Sequence, residues 1–312
     1  MVTIIIPYIN EFHFLEEALE SAYRQQIEDV EIIAVCNDRL FKPQLTSLPG
    51  MYPNTIWLHE PIPGSAFARN KGLHSASGDW IQFLDVDDLL FSDKIQNQMK
   101  YATNGAVVSP HIYKHFNGVT EFSKWKPSDI WSGIIGSSIG STSSMLWNRK
   151  ALVEVNGWNS NYQSNQEYEL LFRLAAKNYE VIPANHHETI VREREMGSIT
   201  KSTKHFRAEQ GIMLREDIWQ YLVSNQMDTP ERLEVLKQYL FKQLRATYRR
   251  DSASTMEIFK KYYQNQKFSP NETGIPFYKW IYSFLGFRKT ESLFKFYSLL
   301  RDKYLPFLPL NK

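Results

Sequence analysis

Short apolar runs alternate with amphipathic stretches along the first part of the chain. The apolar runs are rich in β-branched residues and are bounded by prolines or polar residues, as in strands: Val2–Pro7, Val30–Cys36, Thr55–His59 and Trp80–Leu84. Between them, Glu11–Gln26 and Gly64–Ala76 carry the spacing of apolar residues that predicts helices. This alternation predicts an α/β domain with an open sheet, whose ligands gather where strands end.

The pattern changes further along the chain. Ser132–Ser144 is rich in glycine and serine and predicts a loop, followed by a strand at Ser144–Trp147 and a helix over Gln166–Lys177. From about Lys201, long helical stretches replace the alternation: Phe206–Ser224, Pro230–Arg250 and Ser254–Gln264. We therefore expect two domains, residues 1–200 and residues 201–312.

Charge divides the chain in the same place. The whole chain of 312 residues carries a net charge of +2, but residues 1–200 carry −7 and residues 201–312 carry +9 by count. A basic helical region can attract nucleic acid, anionic lipid or other acidic partners, and it can also be an ordinary solvated surface. The single cysteine, Cys36, excludes a disulfide or a thiolate metal cluster within one chain. With no leader or membrane span in the sequence, we expect a cytoplasmic protein.

Carboxylates follow the fourth predicted strand directly, in Asp85-Val86-Asp87-Asp88. If the backbone stays extended there, Asp85 and Asp87 point to one side and Asp88 to the other. Two close carboxylates suit Mg²⁺ or Mn²⁺, which take oxygen ligands and usually share them with substrate phosphates. The alternative is that the aspartates cap a helix near Leu89–Tyr101.

Several short motifs occur together in a fixed order. They are Pro7-Tyr8-Ile9-Asn10-Glu11 after the first strand, Arg69-Asn70-Lys71-Gly72-Leu73, Ala76-Ser77-Gly78, and Phe83-Leu84-Asp85-Val86-Asp87-Asp88. With them, the chain resembles the family-2 glycosyltransferases of the GT-A fold over roughly residues 1–200. The resemblance implies an α/β, Rossmann-like nucleotide-diphospho-sugar transferase domain with a mixed central sheet, followed by a helical C-terminal region. It also implies a donor half of about residues 1–100 and an acceptor half of about residues 101–200.

The resemblance assigns donor-binding roles to specific residues. It implies that Pro7, Tyr8 and Glu11 border the nucleoside pocket and that Asp38 hydrogen-bonds the base. The alternative roles of these residues are in the turn and at the helix N-terminus. The family's usual Asp-Asp-Gly-Ser is here Asn37-Asp38-Arg39-Leu40. That departure puts the base contact in doubt and leaves the identity of the base open.

The phosphate and metal contacts follow in the same way. Arg69 is expected near the diphosphate, where a guanidinium neutralises charge, although it could be a surface arginine of a helix. Asp85 is expected on the ribose side and Asp87 on the metal, Mn²⁺ or Mg²⁺. The segment Val191–Thr200 resembles the family's basic segment near the diphosphate, without its usual histidine, so Arg192 or Arg194 could hold the leaving phosphate. His186 and His187 are weaker candidates as ligands.

The acceptor side is expected at the helix that begins near Gln166. In the family, an acidic pair begins this helix and its second member is the catalytic base, whereas the pair here is Gln166-Glu167. An inverting transfer needs a general base for the acceptor proton, and Glu167 is the candidate. Its alternative role is a first-turn glutamate that the helix dipole stabilises.

The last predicted helical stretch, Pro276–Leu310, combines nine aromatic residues with six lysines and arginines up to Lys303. Such a stretch suits an anionic membrane surface, and equally suits packing against the first domain or against a second subunit in a homodimer. The sequence and the resemblance thus predict a metal-dependent inverting glycosyltransferase whose donor is a nucleotide-diphospho-sugar, expected to be UDP-linked, and whose acceptor is a glycan or a lipid-linked glycan. By resemblance, the pathway is capsule, exopolysaccharide or lipopolysaccharide synthesis. The alternatives are a degenerate sugar-nucleotide or glycan-binding protein and, because of the tail, a nucleic-acid-binding protein, which we do not expect.

Overall fold

The computed structural model describes residues 1–40, 47–123, 128–194, 204–264, 268–271 and 277–304. These residues form two compact units, Met1–Ser202 and Thr203–Lys312. The first unit is a mixed α/β structure and the second is helical.

Two sheets form the centre of the first unit. Their strands are β1 (Val2–Tyr8), β2 (Val30–Cys36), β3 (Thr55–His59), β4 (Trp80–Phe83), β5 (Leu89–Leu90), β6 (Ala106–Val108), β7 (Ile112–Lys114), β8 (Thr120–Phe122), β9 (Leu146–Asn148), β10 (Val181–Pro183) and β11 (Thr189–Arg192). The larger sheet has the order β10-β6-β9-β4-β1-β2-β3, and the smaller has the order β5-β11-β7-β8. Strand β9 runs antiparallel to both β4 and β6, whereas β1 is parallel to β2 and β4. The larger sheet is therefore mixed.

Helices of the first unit connect these strands. They are α1 (Phe12–Tyr23), α2 (Leu48–Met51), α3 (Ser65–Ser75), α4 (Lys94–Met99), α5 (Ile130–Gly136), α6 (Arg149–Glu154) and α7 (Gln166–Ala176). Strand β1 lies inside the larger sheet, between β4 and β2, and its residues Ile4, Ile5 and Ile6 are fully buried. Apolar residues on both faces of β1 are what a strand needs when it is covered on both sides.

Helix α3 packs closely on β1 through Gly72. A Cβ atom at this position would lie 2.4 Å from Cγ2 of Ile5, well inside van der Waals contact. The glycine therefore sets the distance between the sheet and the helix that carries Arg69, one turn earlier.

We expect Gly72→Ala to lower the free energy of unfolding by about 1–3 kcal/mol, because overpacking of a core contact forces strain. Chemical denaturation followed by near-ultraviolet circular dichroism measures this change. Gly50→Ala is the matched control, since a Cβ atom at Gly50 meets no atom within 4 Å. Equal stability of the two variants would contradict this account of the helix contact.

One local prediction was wrong, and two possibilities that the sequence left open do not occur. Helix α5 (Ile130–Gly136) overlaps the first part of the predicted loop, because the Asp129 carboxylate caps the helix by accepting from the backbone N–H of Trp131 at 2.9 Å. The aspartates after β4 do not cap a helix, since β5 follows them and α4 begins only at Lys94. Their backbone is not extended either, because the N–H of Asp88 donates to the carbonyl of Asp85 at 2.9 Å and closes a turn.

The second unit contains four helices among its described residues. They are α8 (Lys204–Ser224), α9 (Pro230–Thr247), α10 (Ser252–Tyr263) and α11 (Tyr278–Tyr304). Helix α9 supplies much of the core with its buried residues Leu236, Leu240, Phe241 and Leu244. None of the helices in the described part of the chain has the length and the apolar character that crossing a bilayer requires.

Candidate functional site

The candidate site is built where β1, β4 and β11 end. Glu11 follows β1, Asp85 and Asp87 follow β4, and Arg192 and Arg194 stand at or just after the end of β11. Because β1 and β4 are parallel neighbours, their carboxyl ends lie at one edge of the sheet. The structure thus brings together residues that are more than 180 positions apart in the chain, such as Glu11 and Arg194.

Arg69 of α3 is held rigidly in this site. Its Nη2 donates to Oδ1 of Asp85 at 2.6 Å, and its Nη1 donates to Oε1 of Gln166 at 2.8 Å. The guanidinium also lies over the ring of Trp158, 4.6 Å from the centroid, and the residue is only 5% exposed. A planar guanidinium fixed on three sides keeps its charge in one place, which a flexible ammonium would not do.

Gln166, at the start of α7, completes this arrangement. Its side-chain oxygen also accepts from Oγ of Ser65 at 3.0 Å, and its Nε2 donates to the carbonyl of Tyr162 at 2.5 Å. The amide is buried and uses both of its ends, as a buried polar group should. The glutamine that departs from the family pattern is therefore an integral part of the site: it orients Arg69 without adding a second negative charge to that of Asp85.

Two arginines at the end of β11 face the acidic side chains. Arg194 donates from Nε to Oδ2 of Asp87 at 2.5 Å and from Nη1 to Oε1 of Glu11 at 2.9 Å. Arg192 donates to the carboxylate of Glu17 and to the backbone carbonyl of Asp87. The ring of Phe14 lies beneath both guanidinium groups, at 5.0 and 5.2 Å from its centroid. Fixed arginines next to fixed carboxylates suit a ligand that carries both phosphates and a cation.

The pKa values of Asp87 and Glu11 are shifted in opposite directions by their surroundings. Burial raises the pKa of Asp87, and the charge of Asp85 adds to this effect, while Arg194 opposes it. Burial would also raise the pKa of Glu11, but hydrogen bonds from Arg194 and from the N–H of Ile9 outweigh it and lower the pKa. Glu11 is therefore the more firmly ionised partner of Arg194.

Asp88 has a structural role beside the site. Burial raises its pKa well above the usual range, and the charges of Asp87 and Asp85 act in the same direction. Its carboxyl accepts from Oγ of Ser143 at 2.6 Å and from the backbone N–H of Arg192 at 3.2 Å. The same Ser143 hydroxyl accepts from the N–H of Asp85 at 3.0 Å, so this network fixes the turn that presents Asp85 and Asp87.

Glu167, the predicted base, lies in the first turn of α7 next to Gln166 and is partly exposed. The other acidic residue of that turn, Glu169, is 5% exposed and takes two hydrogen bonds of 2.7 Å from Arg173. Because both carboxylate oxygens of Glu169 accept hydrogen bonds from Arg173, this residue is unsuited to take a proton from a substrate. The catalytic role of Glu167 stays a prediction.

The predicted nucleoside-side residues lie near the end of β1. Tyr8, which follows Pro7, is 5% exposed, and its ring makes edge-to-face contacts with Phe12 and Trp57. The ring is therefore mostly packed in the core. Asp38 accepts at Oδ1 from the N–H of Leu40 at 3.0 Å, in a turn whose continuation, residues 41–46, lies outside the described residues. Their contacts with a nucleoside stay predictions.

The two weaker candidates, His186 and His187, precede β11. His187 contacts the carbonyl of Ser123 and the ring of Phe122, and His186 packs against Tyr101. These are contacts typical of residues at a strand end. The rest of the basic segment, residues 195–200, lies outside the described residues.

A divalent ion would find only part of its ligands here. Within the described ranges, no group of three or more His, Cys, Asp or Glu side chains could hold a metal ion. Asp87, which is 23% exposed at its side chain, and Asp85, at 33%, are hard oxygen donors at one edge of the sheet. Such a set fits Mg²⁺ or Mn²⁺ that takes its remaining ligands from substrate phosphates, which is the usual way these ions bind.

Sequence reasoning missed some of the residues that build this site. The sequence shows Gln166 only as a departure from the family's acidic pair, and Phe14 and Glu17 lie within the predicted helix Glu11–Gln26 with no predicted role in the site. Asn37 was seen only as a departure from a motif, but its side chain contacts the backbone of Glu60, Ile62 and Gly64 at 2.7–2.8 Å and so fixes the approach to α3. For Asn37 the only available signal is its residue type, because asparagine side chains in turns commonly hydrogen-bond backbone groups, although nothing local points to residues 60–64 as the partners.

The mixed sheet, with its acidic and basic side chains at one edge, defines a GT-A domain followed by a helical region, as the sequence predicted. The sequence model of Glycosyl transferase family 2 matches residues 3–159, which is half of the chain. The chain therefore belongs to this family, and the predicted relationship is confirmed.

Curated relatives agree with this assignment. An uncharacterized glycosyltransferase of Rickettsia felis is 28% identical over 183 residues, which are 57% of this chain and 30% of the relative. A Bacillus subtilis protein named minor teichoic acid biosynthesis protein GgaB is 35% identical over 104 residues, which are 32% of this chain and 12% of the relative. The chain thus spans less than a third of the length of these relatives.

Solved structures share the fold. The S. aureus TarS fragment 1-349 in complex with UDP-GlcNAc has a TM-score of 0.59 at 13% identity, covering 85% of this chain and 76% of that one. The Pyrobaculum calidifontis mannosyltransferase PcManGT in complex with GDP-Man and Mn²⁺ has a TM-score of 0.51 at 16% identity, covering 97% and 87%. At such identities the likeness concerns the fold alone.

Proposed function

We propose that the chain is an inverting glycosyltransferase that moves a sugar from a UDP-linked donor to an acceptor hydroxyl. The observation that carries the proposal is the pairing of Arg69 with Asp85 and of Arg194 with Asp87 at the carboxyl edge of the sheet. We assign residues 1–200 to the transferase domain, with the donor half at about 1–100 and the acceptor half at about 101–200. The choice of UDP is supported by the TarS complex with UDP-GlcNAc.

The donor would bind across the edges of β1 and β4. Pro7, Tyr8, Glu11 and Asp38 would border the nucleoside, and Asp85 would lie on the ribose side. Arg69, Arg192 and Arg194 would face the diphosphate: guanidinium groups donate to phosphate oxygens in pairs and neutralise their charge.

Asp87 would hold the divalent ion together with the diphosphate, and the Mn²⁺ complex of PcManGT supports this choice of ion. Such an ion supplies Lewis-acid stabilisation of the charge that develops on the diphosphate. Arg194 occupies Oδ2 of Asp87 in the structure, so binding of a cation there requires the arginine to share or leave this oxygen.

The reaction would be one in-line displacement. The acceptor oxygen attacks the anomeric carbon, Glu167 takes the acceptor proton, and the bond from the anomeric carbon to the phosphate oxygen breaks, so that the anomeric configuration inverts. The electron pair of that bond leaves with UDP, where the fixed arginines stabilise it. Stabilisation by charges that are already in place is usually the largest catalytic contribution.

The acceptor would be a glycan or a lipid-linked glycan of a bacterial surface polymer, such as capsule, exopolysaccharide or lipopolysaccharide. The likeness to a teichoic acid biosynthesis protein supports a role in surface-polymer synthesis. Because the match covers 12% of that relative, it supports the pathway class and no particular linkage.

Thermal unfolding with nucleotides tests the proposal. At a UDP concentration of about 100 times Kd, we expect the apparent Tm to rise by roughly 5–10 °C in the presence of Mn²⁺, because a ligand that binds only the folded state stabilises it by mass action. A smaller rise is expected with Mn²⁺ replaced by EDTA, and GDP is the control for the base. No rise with any nucleoside diphosphate would contradict the proposal.

A binding protein without activity is the alternative, suggested by Gln166 and by the altered turn at Asn37. Both residues have hydrogen-bonding roles in the folded chain, so their departure from the family pattern is not by itself a sign of lost activity. Metal-dependent release of UDP from a UDP-sugar, measured by a coupled assay, separates the two. A chain that binds the donor tightly but never releases UDP, with acceptor glycans present, would favour the binding protein.

A further inference from the structure

Helix α11 sorts its aromatic residues into two groups. Tyr278 is fully buried and Phe287 is 2% exposed; both rings pack against Phe241 of α9, and Phe287 also stacks on Phe259 of α10. These inward rings belong to the core of the helical unit. The remaining large side chains need another explanation.

The second group faces solvent. We call it, together with the exposed cations next to it, the aromatic-basic surface; its apolar members are Phe277 at 79% exposure, Trp280 at 65%, Phe284 at 72%, Phe296 at 60% and Tyr297 at 62%. Trp280 and Phe284, one helical turn apart, contact each other edge to face at 5.0 Å. Gly286, at φ 70, separates two helical halves, and each half carries exposed rings. Exposed apolar side chains that contact one another, as Trp280 and Phe284 do, mark an interaction site.

The charges of this surface indicate which partner it meets. Its cations, Lys279, Arg288 and Lys289, are exposed. Between residues 277 and 298 the sequence has one acid, Glu291, and that side chain is buried and paired with Arg245 at 3.1 Å. The surface is therefore positively charged, with no exposed carboxylate along this described stretch. Two copies of the chain meeting face to face here would bring like charges together, which disfavours a homodimer through this surface.

We propose that the aromatic-basic surface of α11 docks the protein on an anionic lipid bilayer. Rings such as those of Trp280 and Phe284 would enter the headgroup region, where aromatic residues partition well, while the cations would face anionic headgroups. Each cation near such a surface contributes to attraction that falls off within a Debye length. Peripheral docking of this kind needs no membrane-spanning helix.

Vesicle sedimentation of the full chain tests the inference. We expect binding to vesicles of phosphatidylcholine and phosphatidylglycerol in equal parts, and weak binding to phosphatidylcholine alone. The triple variant Lys279→Gln, Arg288→Gln, Lys289→Gln is expected to bind the mixed vesicles roughly 100-fold more weakly. The double variant Trp280→Ala, Phe284→Ala is expected to lose at least about tenfold.

The matched control removes three exposed cations of the same unit outside α11: Lys242→Gln, Arg250→Gln and Lys260→Gln. We expect this control to retain binding within about threefold, and circular dichroism to show that every variant is folded. Because the chain has eight tryptophans, the signal of Trp280 is read as a difference: on addition of mixed vesicles, the wild-type fluorescence should shift to the blue by more than that of the Trp280→Ala, Phe284→Ala variant.

Any of four results would overturn the inference, and the first three concern vesicles and oligomeric state. They are no binding of the wild-type chain to mixed vesicles, equal losses in the control and the α11 variants, and a dimer in light scattering that dissociates in the double variant. Retention on a single-stranded oligonucleotide with none on vesicles would do the same, and would identify a nucleic-acid partner instead. Because the readout requires no sugar nucleotide, its outcome is independent of the proposed transfer reaction.

Discussion

Replacing Glu167 with glutamine is expected to lower kcat by about 100- to 10,000-fold, the range that a positioned general base contributes. Glutamine has the same shape but cannot accept the acceptor proton at neutral pH. The KM for the donor should change little, because the donor lies at the edges of β1 and β4 in the proposal. Steady-state release of UDP in the presence of acceptor, together with calorimetric binding of UDP, measures both quantities.

Glu28→Gln is the control for this prediction, since it makes the same chemical change at an exposed position before β2. The variant Glu169→Gln gives a second comparison, because it breaks a buried ion pair with Arg173 and should therefore lower stability. Wild-type kcat in the folded Glu167→Gln variant would remove Glu167 from the mechanism and leave another group to take the proton.

The strands at the centre of the sheet could be predicted from local patterns. Val2–Tyr8 and Val30–Cys36 are largely apolar runs, interrupted by Thr3 and by Glu31, and such runs are typical of strands covered on both faces. The order of the strands could not be predicted in this way. That β9 inserts antiparallel between β4 and β6 depends on contacts between distant segments, and only the resemblance to a known family implied a mixed sheet.

The turn at Asp85–Asp88 shows where local reasoning fails. An extended backbone was a reasonable expectation for residues directly after a strand. The turn exists because Ser143, far along the chain, accepts from the N–H of Asp85 and donates to the carboxyl of Asp88. Nothing within the acidic motif itself encodes that serine.

The site was predictable as a set of residues but not as a set of pairs. The motifs predict that Arg69, Asp85 and Asp87 lie at one edge of the sheet. The motifs do not show which arginine pairs with which aspartate: in the structure Arg69 binds Asp85, and Arg194 binds Asp87. Gln166 illustrates the limit most clearly. Compared with the family pattern, this position has lost the negative charge of a carboxylate. In the folded chain, its amide oxygen accepts a hydrogen bond from Arg69 and orients the guanidinium.

In the second unit, composition predicted helices and a basic charge, but it could not sort the rings of the last helix. The break at Gly286 changes which residues share a face, so that no single helical period over 278–304 separates buried rings from exposed ones. The rings of Tyr278 and Phe287 are the buried ones because they pack against Phe241 of α9, a contact between distant segments of the chain.

Asp87→Asn is expected to abolish Mn²⁺-dependent binding of UDP and to lower kcat/KM by about 1,000-fold or more, a loss of roughly 4 kcal/mol of transition-state stabilisation. The amide keeps an oxygen that can accept from Arg194, so the contacts of that arginine with Glu11 and residue 87 should survive. What is lost is the negative charge that a hard divalent ion requires.

Electron paramagnetic resonance of free Mn²⁺, titrated with protein in the presence of UDP, measures this loss directly and does not depend on turnover. Asp79→Asn is the matched control, because that carboxylate is 83% exposed and lies before β4, at the opposite end of the strand from Asp87. If Asp87→Asn bound Mn²⁺ as tightly as the Asp79→Asn control, the cation would have to bind elsewhere. Arg194 would then remain paired with Asp87 throughout the reaction. The negative charge of the departing diphosphate would be stabilised by Arg69 and Arg192.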